Sequence, residues 1–387
     1  MPKKTISIIL VVLIYLISTG ISYSTFSAKE RTNSQASPSM QSQNTDNDYQ
    51  AITFDQSKQK TEECPLNGIL YSKEQKAWWE NHRPLGVMIE NHQDARPQSG
   101  ISFSDVTYEA VAEGGITRTL NVYYCQDAGI IGPVRSARTY FMDFISEYGD
   151  YPLYAHVGGA NSPGLANALG QIEDYSWANY NDMNQFSIGF PVFWRDQNRL
   201  GHDTATEHTM YSTTSKLWTF AADKRKLTAT NKDGEKWDTD FVKYTFKDGS
   251  AEADSQNINI QFWNDPAYAV DWKFDKQRNI YLRNNGGQPH IDRNTKKQLT
   301  ASSIVALFMT EKHADDGYEN NAHLLYGTKG AGKALIFQNG KEIKGTWKKA
   351  SRTGHTIISD QSGKDLEFTR GKIWFEILPT DADVKVD

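Results

Sequence analysis

Two carboxylates and three arginines, close together in the chain, are the first residues whose types and spacing could do chemistry. Glu109 and Glu113 belong to a run from Val106 that is rich in β-branched and aromatic residues. A similar run, Ile116 to Tyr124, comes after the turn residues Glu113-Gly114-Gly115. That pattern predicts a β-hairpin turning at the glycines. In this register Glu109, Val111 and Glu113 share a face with Ile116, Arg118 and Leu120, and Arg118 lies diagonal to both acids. A helical reading of the first run would also pair the acids, at i and i+4. Paired carboxylates could divide acid and base work on a glycan, with His156 as a further catalytic candidate. The flanking arginines favour the ionised form of both acids, which suits charge pairing better than proton donation.

The arginines continue in Gly132-Pro133-Val134-Arg135-Ser136-Ala137-Arg138, ahead of apolar positions Ala137, Phe141, Phe144, Ile145 and Tyr148 at helical spacing. The spacing predicts a helix beginning at Pro133. Cations at a helix start are disfavoured by the dipole, so an anion is expected close by, either the two glutamates or a ligand that also uses free backbone amides. There is a second strand-to-turn junction, with Tyr151 to Val157 as strand, Gly158-Gly159 as turn, and Ser162-Pro163 as cap and first position of another helix. The expected site is therefore an anion site of Arg118, Arg135, Ser136 and Arg138. Glu109 and Glu113 would orient the arginines, and Gly158-Gly159 would form the opposite wall beside His156. Arg96 and His208 complete the candidate ligand-binding set.

His156, His202 and His208 with Glu109 or Glu113 could surround zinc, but no HExxH or paired Cys/His spacing supports that, and no metal or other cofactor is expected. Gly327 to Lys333 resembles a phosphate loop, yet Ala334 replaces the hydroxyl residue and a strand comes next, so no nucleotide is expected. A net charge of −5 without a basic tract in the folded body argues against nucleic acid.

These residues need elements to position them. Lys3 and Lys4 precede an uncharged stretch of roughly 24 residues, long enough to cross a hydrocarbon core with the lysines inside. Residues 1–28 read as a signal-anchor or signal peptide, which places the rest on the extracytoplasmic face of the cell membrane. Residues 29–62 are polar and predict a disordered linker. The two cysteines, Cys64 and Cys125, are most simply a disulfide outside the membrane. An α/β domain is expected over 63–225, including a helix from about Thr213 to Ala222. A polar linker covers 226–256, and a mostly β domain covers 257–387, an α+β fold overall. Strands are predicted at Ile258 to Trp263, Tyr268 to Phe274, Ile280 to Arg283, Ile304 to Met309, Ala334 to Phe337, Thr356 to Ser359 and Ile373 to Ile377. This strand pattern is expected to fold without the first domain.

Several runs carry a family resemblance: Arg83 to His92, Ala95 to Gly100, Tyr108-Glu109 with Ala112 to Arg118, and Ile131 to Arg138. Later runs, Gly287 to Asp292, Gly332 to Gly340 and Trp347 to Arg352, extend it. Across about Cys64 to Pro379 the chain resembles the YerB-like family of bacterial envelope lipoproteins. The resemblance implies a two-domain extracytoplasmic protein and supplies no mechanism. This chain departs in lacking a cysteine to carry lipid after the apolar run, and in having Thr209 where the family usually has Asn after the histidine. The expected role is a membrane-tethered binding or scaffold protein acting on cell-wall polymer or envelope proteins. The alternative is an envelope glycan hydrolase or lyase using Glu109 and Glu113.

Overall fold

The structure is a computed structural model and describes residues 50–263 and 265–387. The segment 1–28 and most of the predicted linker lie outside the described residues. The chain ahead of Glu62 is docked on the body at two points: the Ile52 amide donates to Asp127 Oδ2 at 2.9 Å and Phe54 packs on Trp78 at 5.6 Å. Residues 50–387 form one compact unit.

The apolar runs make the predicted strands. In chain order the first half supplies β1 (Leu85–Glu90), β2 (Val106–Glu113), β3 (Ile116–Tyr123), β4 (Leu153–His156) and β5 (Asp182–Asn184). The second half supplies β6 (Asn257–Ile260), β7 (Val270–Asp275), β8 (Ile280–Asn285) and β9 (Ser303–Met309). It continues with β10 (Gly330–Gln338), β11 (Lys341–Lys349), β12 (Ile357–Asp360), β13 (Ile373–Pro379) and β14 (Val384–Val386). Among the described residues helices are few and short, so the fold is mostly β, and the first half has less helix than expected.

One ten-stranded sheet runs in the order β12-β11-β10-β9-β13-β2-β3-β1-β4-β5 and draws on both halves of the chain. The seam is β13 against β2, parallel, with Ile373 opposite Val106 and Glu376 opposite Glu109. The smaller sheet, built around β8-β7-β6-β14, packs on one face, where Trp272 of β7 meets Trp374 of β13 at 5.3 Å. On the other face lies the helix Thr139–Ile145, every residue of which is buried. There Tyr108 is stacked between Phe144 and Phe375, each at 4.7 Å. Because strand side chains alternate, Tyr108 faces the helix and Glu109 faces the small sheet.

The β2–β3 hairpin turns where predicted, with Gly114 at φ 58° and Gly115 at φ 83°, conformations that favour glycine. Cys64 and Cys125 are joined by a disulfide, with Cα atoms 6.0 Å apart. A helix at Thr214–Phe220 and all seven predicted strands of the second half are present.

Two predicted helix starts are not. Pro133 to Ala137 is extended, and the helix begins only at Thr139. Neighbouring chain segments recruit this backbone: Val134 N donates to Met210 O at 2.7 Å, Arg135 N to Met88 O at 2.9 Å, and Ala137 N to Gly158 O at 2.9 Å. Likewise Ser162-Pro163 lies in a loop, and the next helix spans Ala168–Asp174, capped by the Asn167 side chain. The amides of Val134, Arg135 and Ala137, expected to be free for an anion, are thus already bonded.

Candidate anion-binding site

The bulge between Val111 and Glu113 decides which side chains meet. Residue 109 pairs with Thr119 and residue 110 with Arg118, but the extra residue in β2 then brings Glu113 opposite Ile116. A bulge reverses the facing of the strand residues beyond it. Glu113 therefore turns to the side of Arg118, while Glu109 points to the opposite face. The two acids do not form a pair, contrary to the hairpin and helical readings alike.

Glu113 is the clamp of the arginine cluster. Arg118 Nη2 donates to its Oε1 at 2.8 Å, and Arg138 Nη2 donates to its Oε2. Arg118 Nη1 also donates to the Ser136 carbonyl at 3.1 Å. Both guanidiniums are buried, and their Nε atoms have no hydrogen-bond partner among the described residues, nor does the nearby Tyr154 hydroxyl. Burial lowers the pKa of Arg118 and of Arg138, a measure of the cost of keeping two cations out of water.

Arg135 extends the cluster toward solvent, with a quarter of its side chain exposed. Its Nε donates to Glu90 Oε1 at 3.1 Å, and the other oxygen of Glu90 takes His208 Nδ1 at 2.8 Å. Burial works to raise the Glu90 pKa, but the His208 hydrogen bond, Arg135 and Arg118 outweigh it and leave the carboxyl below its ordinary range. The same bond raises His208. Three arginines thus meet two carboxylates, Glu90 and Glu113, and the remainder is positive.

The Gly158-Gly159 turn stands against the arginine-bearing segment. Gly159 bridges Ala137, the Gly158 carbonyl accepts the Ala137 amide, and the Gly158 amide donates to Asn184 Oδ1 at 3.1 Å. A Cβ on Gly158 would stand 3.0 Å from the Phe186 ring. Phe186, 75% exposed, thus borders the Gly158-Gly159 turn.

Other predicted residues are occupied elsewhere. His156 Nε2 bonds Asp182 Oδ1 at 2.5 Å and its Nδ1 bonds Gly158 O at 2.7 Å, which leaves neither ring nitrogen for substrate. Arg96 donates to the carbonyls of Asn91 and Ala267 on the wall of a separate cleft of about 520 Å³. Glu109 is fully buried and accepts from Arg283 Nη2 at 2.6 Å, from Thr117 Oγ1 at 2.7 Å and from Asn91. Arg283 in turn lies over the rings of Trp272 and Trp374.

Sequence reasoning missed Glu90, Asp182 and Arg283. Glu90 was findable as the acid that ends an otherwise apolar strand. Arg283 gave no local signal, because its partner Glu109 is 174 residues away.

Two family models match the chain. The "Protein of unknown function (DUF3048) N-terminal domain" covers residues 67–228, and the corresponding C-terminal domain covers residues 258–375. The chain is 31% identical over 318 residues to the Bacillus subtilis (strain 168) protein named "Putative lipoprotein YerB", covering 82% of this chain and 86% of that one. It is also similar to the crystal structure of the YerB protein from Bacillus subtilis. That match has a TM-score of 0.68 and 26% identity, and it covers 84% of this chain and all of the other.

Proposed function

The chain belongs to the DUF3048 family, and on that footing we propose that it is a membrane-tethered, extracytoplasmic binding or scaffold protein of the cell envelope. It engages an anionic group of cell-wall polymer, or of a wall-synthesis partner, through Arg118, Arg135 and Arg138. The observation that carries this reading is the uncompensated charge. Each guanidinium has a carboxylate partner, but Arg118 and Arg138 share Glu113 alone, and the one positive charge left over is completed by an incoming anion. Exposed Phe186 beside the Gly158-Gly159 turn suits the apolar face of a sugar ring. The name of the Bacillus subtilis relative and the apolar segment after Lys3 and Lys4 support tethering at the envelope.

Glycan cleavage finds less support. Glu109 is sealed in an ion pair on the far face, Glu113 is held by two arginines, and both nitrogens of His156 are engaged. None is placed to move a proton between water and a glycosidic oxygen. Incubating the full-length chain with purified sacculi separates the readings. Co-sedimentation without soluble fragments is expected, and release of fragments would return the hydrolase.

A further inference from the structure

We propose that His92, Asp94 and His208 form a site for a divalent cation of the zinc class. This goes beyond the anion-binding reading and does not depend on it. The three residues come from two turns. His92 caps the single turn Gln93–Ala95 after β1, and His208 ends the turn Thr206–His208. The segments are tied where Thr204 Oγ1 donates to the Asp94 carbonyl at 3.2 Å. One donor atom from each of the three lies within 4.8 Å of the other two.

The hydrogen bonds assign the ligand atoms. Glu90 accepts the Nδ1 proton of His208 at 2.8 Å, which leaves Nε2 for a cation. Arg135 fixes the second oxygen of that carboxylate. A carboxylate behind an imidazole is the arrangement that orients metal-binding histidines and strengthens their basicity. His92 Nδ1 carries a lone pair that accepts from the Asp94 amide at 3.2 Å, a long bond that a cation would replace, and it lies 3.7 Å from Asp94 Oδ2. The two imidazoles lie nearly parallel, 4.8 Å between centroids and 13° between planes.

A tetrahedral ion with bonds of about 2.0–2.2 Å holds its ligand atoms roughly 3.3–3.6 Å apart. Separations of 3.7 Å and up to 4.8 Å close by side-chain rotation. Asp94, 65% exposed, has room to turn, and His92, 31% exposed, turns by giving up its cap to the Asp94 amide. His208 is buried and stays in place. Two nitrogens and one carboxylate oxygen select a borderline cation such as zinc over magnesium or calcium, which prefer all-oxygen shells. Three protein ligands leave the fourth position open to water or a ligand group.

Calorimetric titration of the untagged full-length chain in mild detergent with zinc chloride tests the site, with cobalt(II) absorption as a second readout. The expected result is saturable one-to-one uptake and a tetrahedral cobalt spectrum. Affinity should fall at least about tenfold in Glu90→Gln, the usual effect of losing the group that orients a ligating histidine. Uptake should be lost in both His92→Ala and Asp94→Ala. These two change exposed side chains, so the test does not hinge on the folding of a His208 variant. Absence of one-to-one uptake, or uptake unchanged in both His92→Ala and Asp94→Ala, would overturn the proposal.

Discussion

Glu109 and Glu376 stand in register on neighbouring parallel strands from the two halves of the chain, and both carboxylates reach Arg283. Arg283 Nη2 lies 2.6 Å from Glu109, and its Nη1 lies 3.6 Å from Glu376, whose Oε1 also accepts from Trp272 Nε1 at 2.8 Å. All three charged side chains are fully buried. One guanidinium cannot balance two carboxylates, so the second acid must hold its proton.

Burial, then the charge of Glu109, raises the Glu376 pKa from 4.5 to about 8. The folded protein therefore keeps a proton that the unfolded chain releases between those values. The resulting stability is fully present below about pH 4.5 and is lost as pH rises through about 8. Glu376→Gln mimics the protonated acid and should remove this loss. Denaturant melts of both proteins from pH 4 upward are expected to converge at low pH, with the variant the more stable above about pH 8. Asp105 and Lys372, each shifted by burial to about 7, are common to both proteins and cancel in the difference. A wild-type advantage that widens with pH would contradict the assignment.

Removing the cation tests the same cluster from its other side. Arg283→Ala leaves Glu109 buried without its countercharge, a change that costs about 3–5 kcal/mol. Urea unfolding midpoints read this directly. A loss under about 1 kcal/mol would mean that water reaches the cluster and that the pair is in effect exposed.

The strand pattern of residues 257–387 suggests independent folding, but the seam between β13 and β2 argues otherwise. Cut from the first half, β13 gains an open edge, and Arg283 loses Glu109. Expressed alone, this half should lack a cooperative thermal transition and be digested readily. A sharp transition would show that the smaller sheet and β9 to β13 suffice as a core.

Local features were legible in the sequence. Alternating apolar runs and the Gly114-Gly115 pair placed the hairpin, and the same signals placed the second-half strands. The bulge was not legible, because Glu113-Gly114-Gly115 allows the turn with or without an extra residue in β2, and that one residue moves Glu113 to the other face. Pro133 misleads because apolar positions at helical spacing do begin nearby. The backbone ahead of them is instead claimed by Met88, Met210 and Gly158, from segments that only the fold brings together. The arginine cluster survives these differences, since charge excess depends on which residues converge more than on the element that carries them.

Completion of the arginine cluster by an anion is tested most directly by a thermal-shift series on full-length wild type and Arg135→Ala. The ligands are phosphate, muramyl fragments and acidic glycans. Arg135 is partly exposed, and Glu90 keeps His208 when it is removed, so the variant should fold. Mass action predicts a wild-type melting temperature that rises with ligand, equivalent to about 2.7 kcal/mol at a hundredfold excess over Kd. That rise should be absent in Arg135→Ala. No stabilisation of the wild type by any of these ligands, or equal stabilisation of the variant, would contradict anion binding and leave the arginines as a structural ion-pair network.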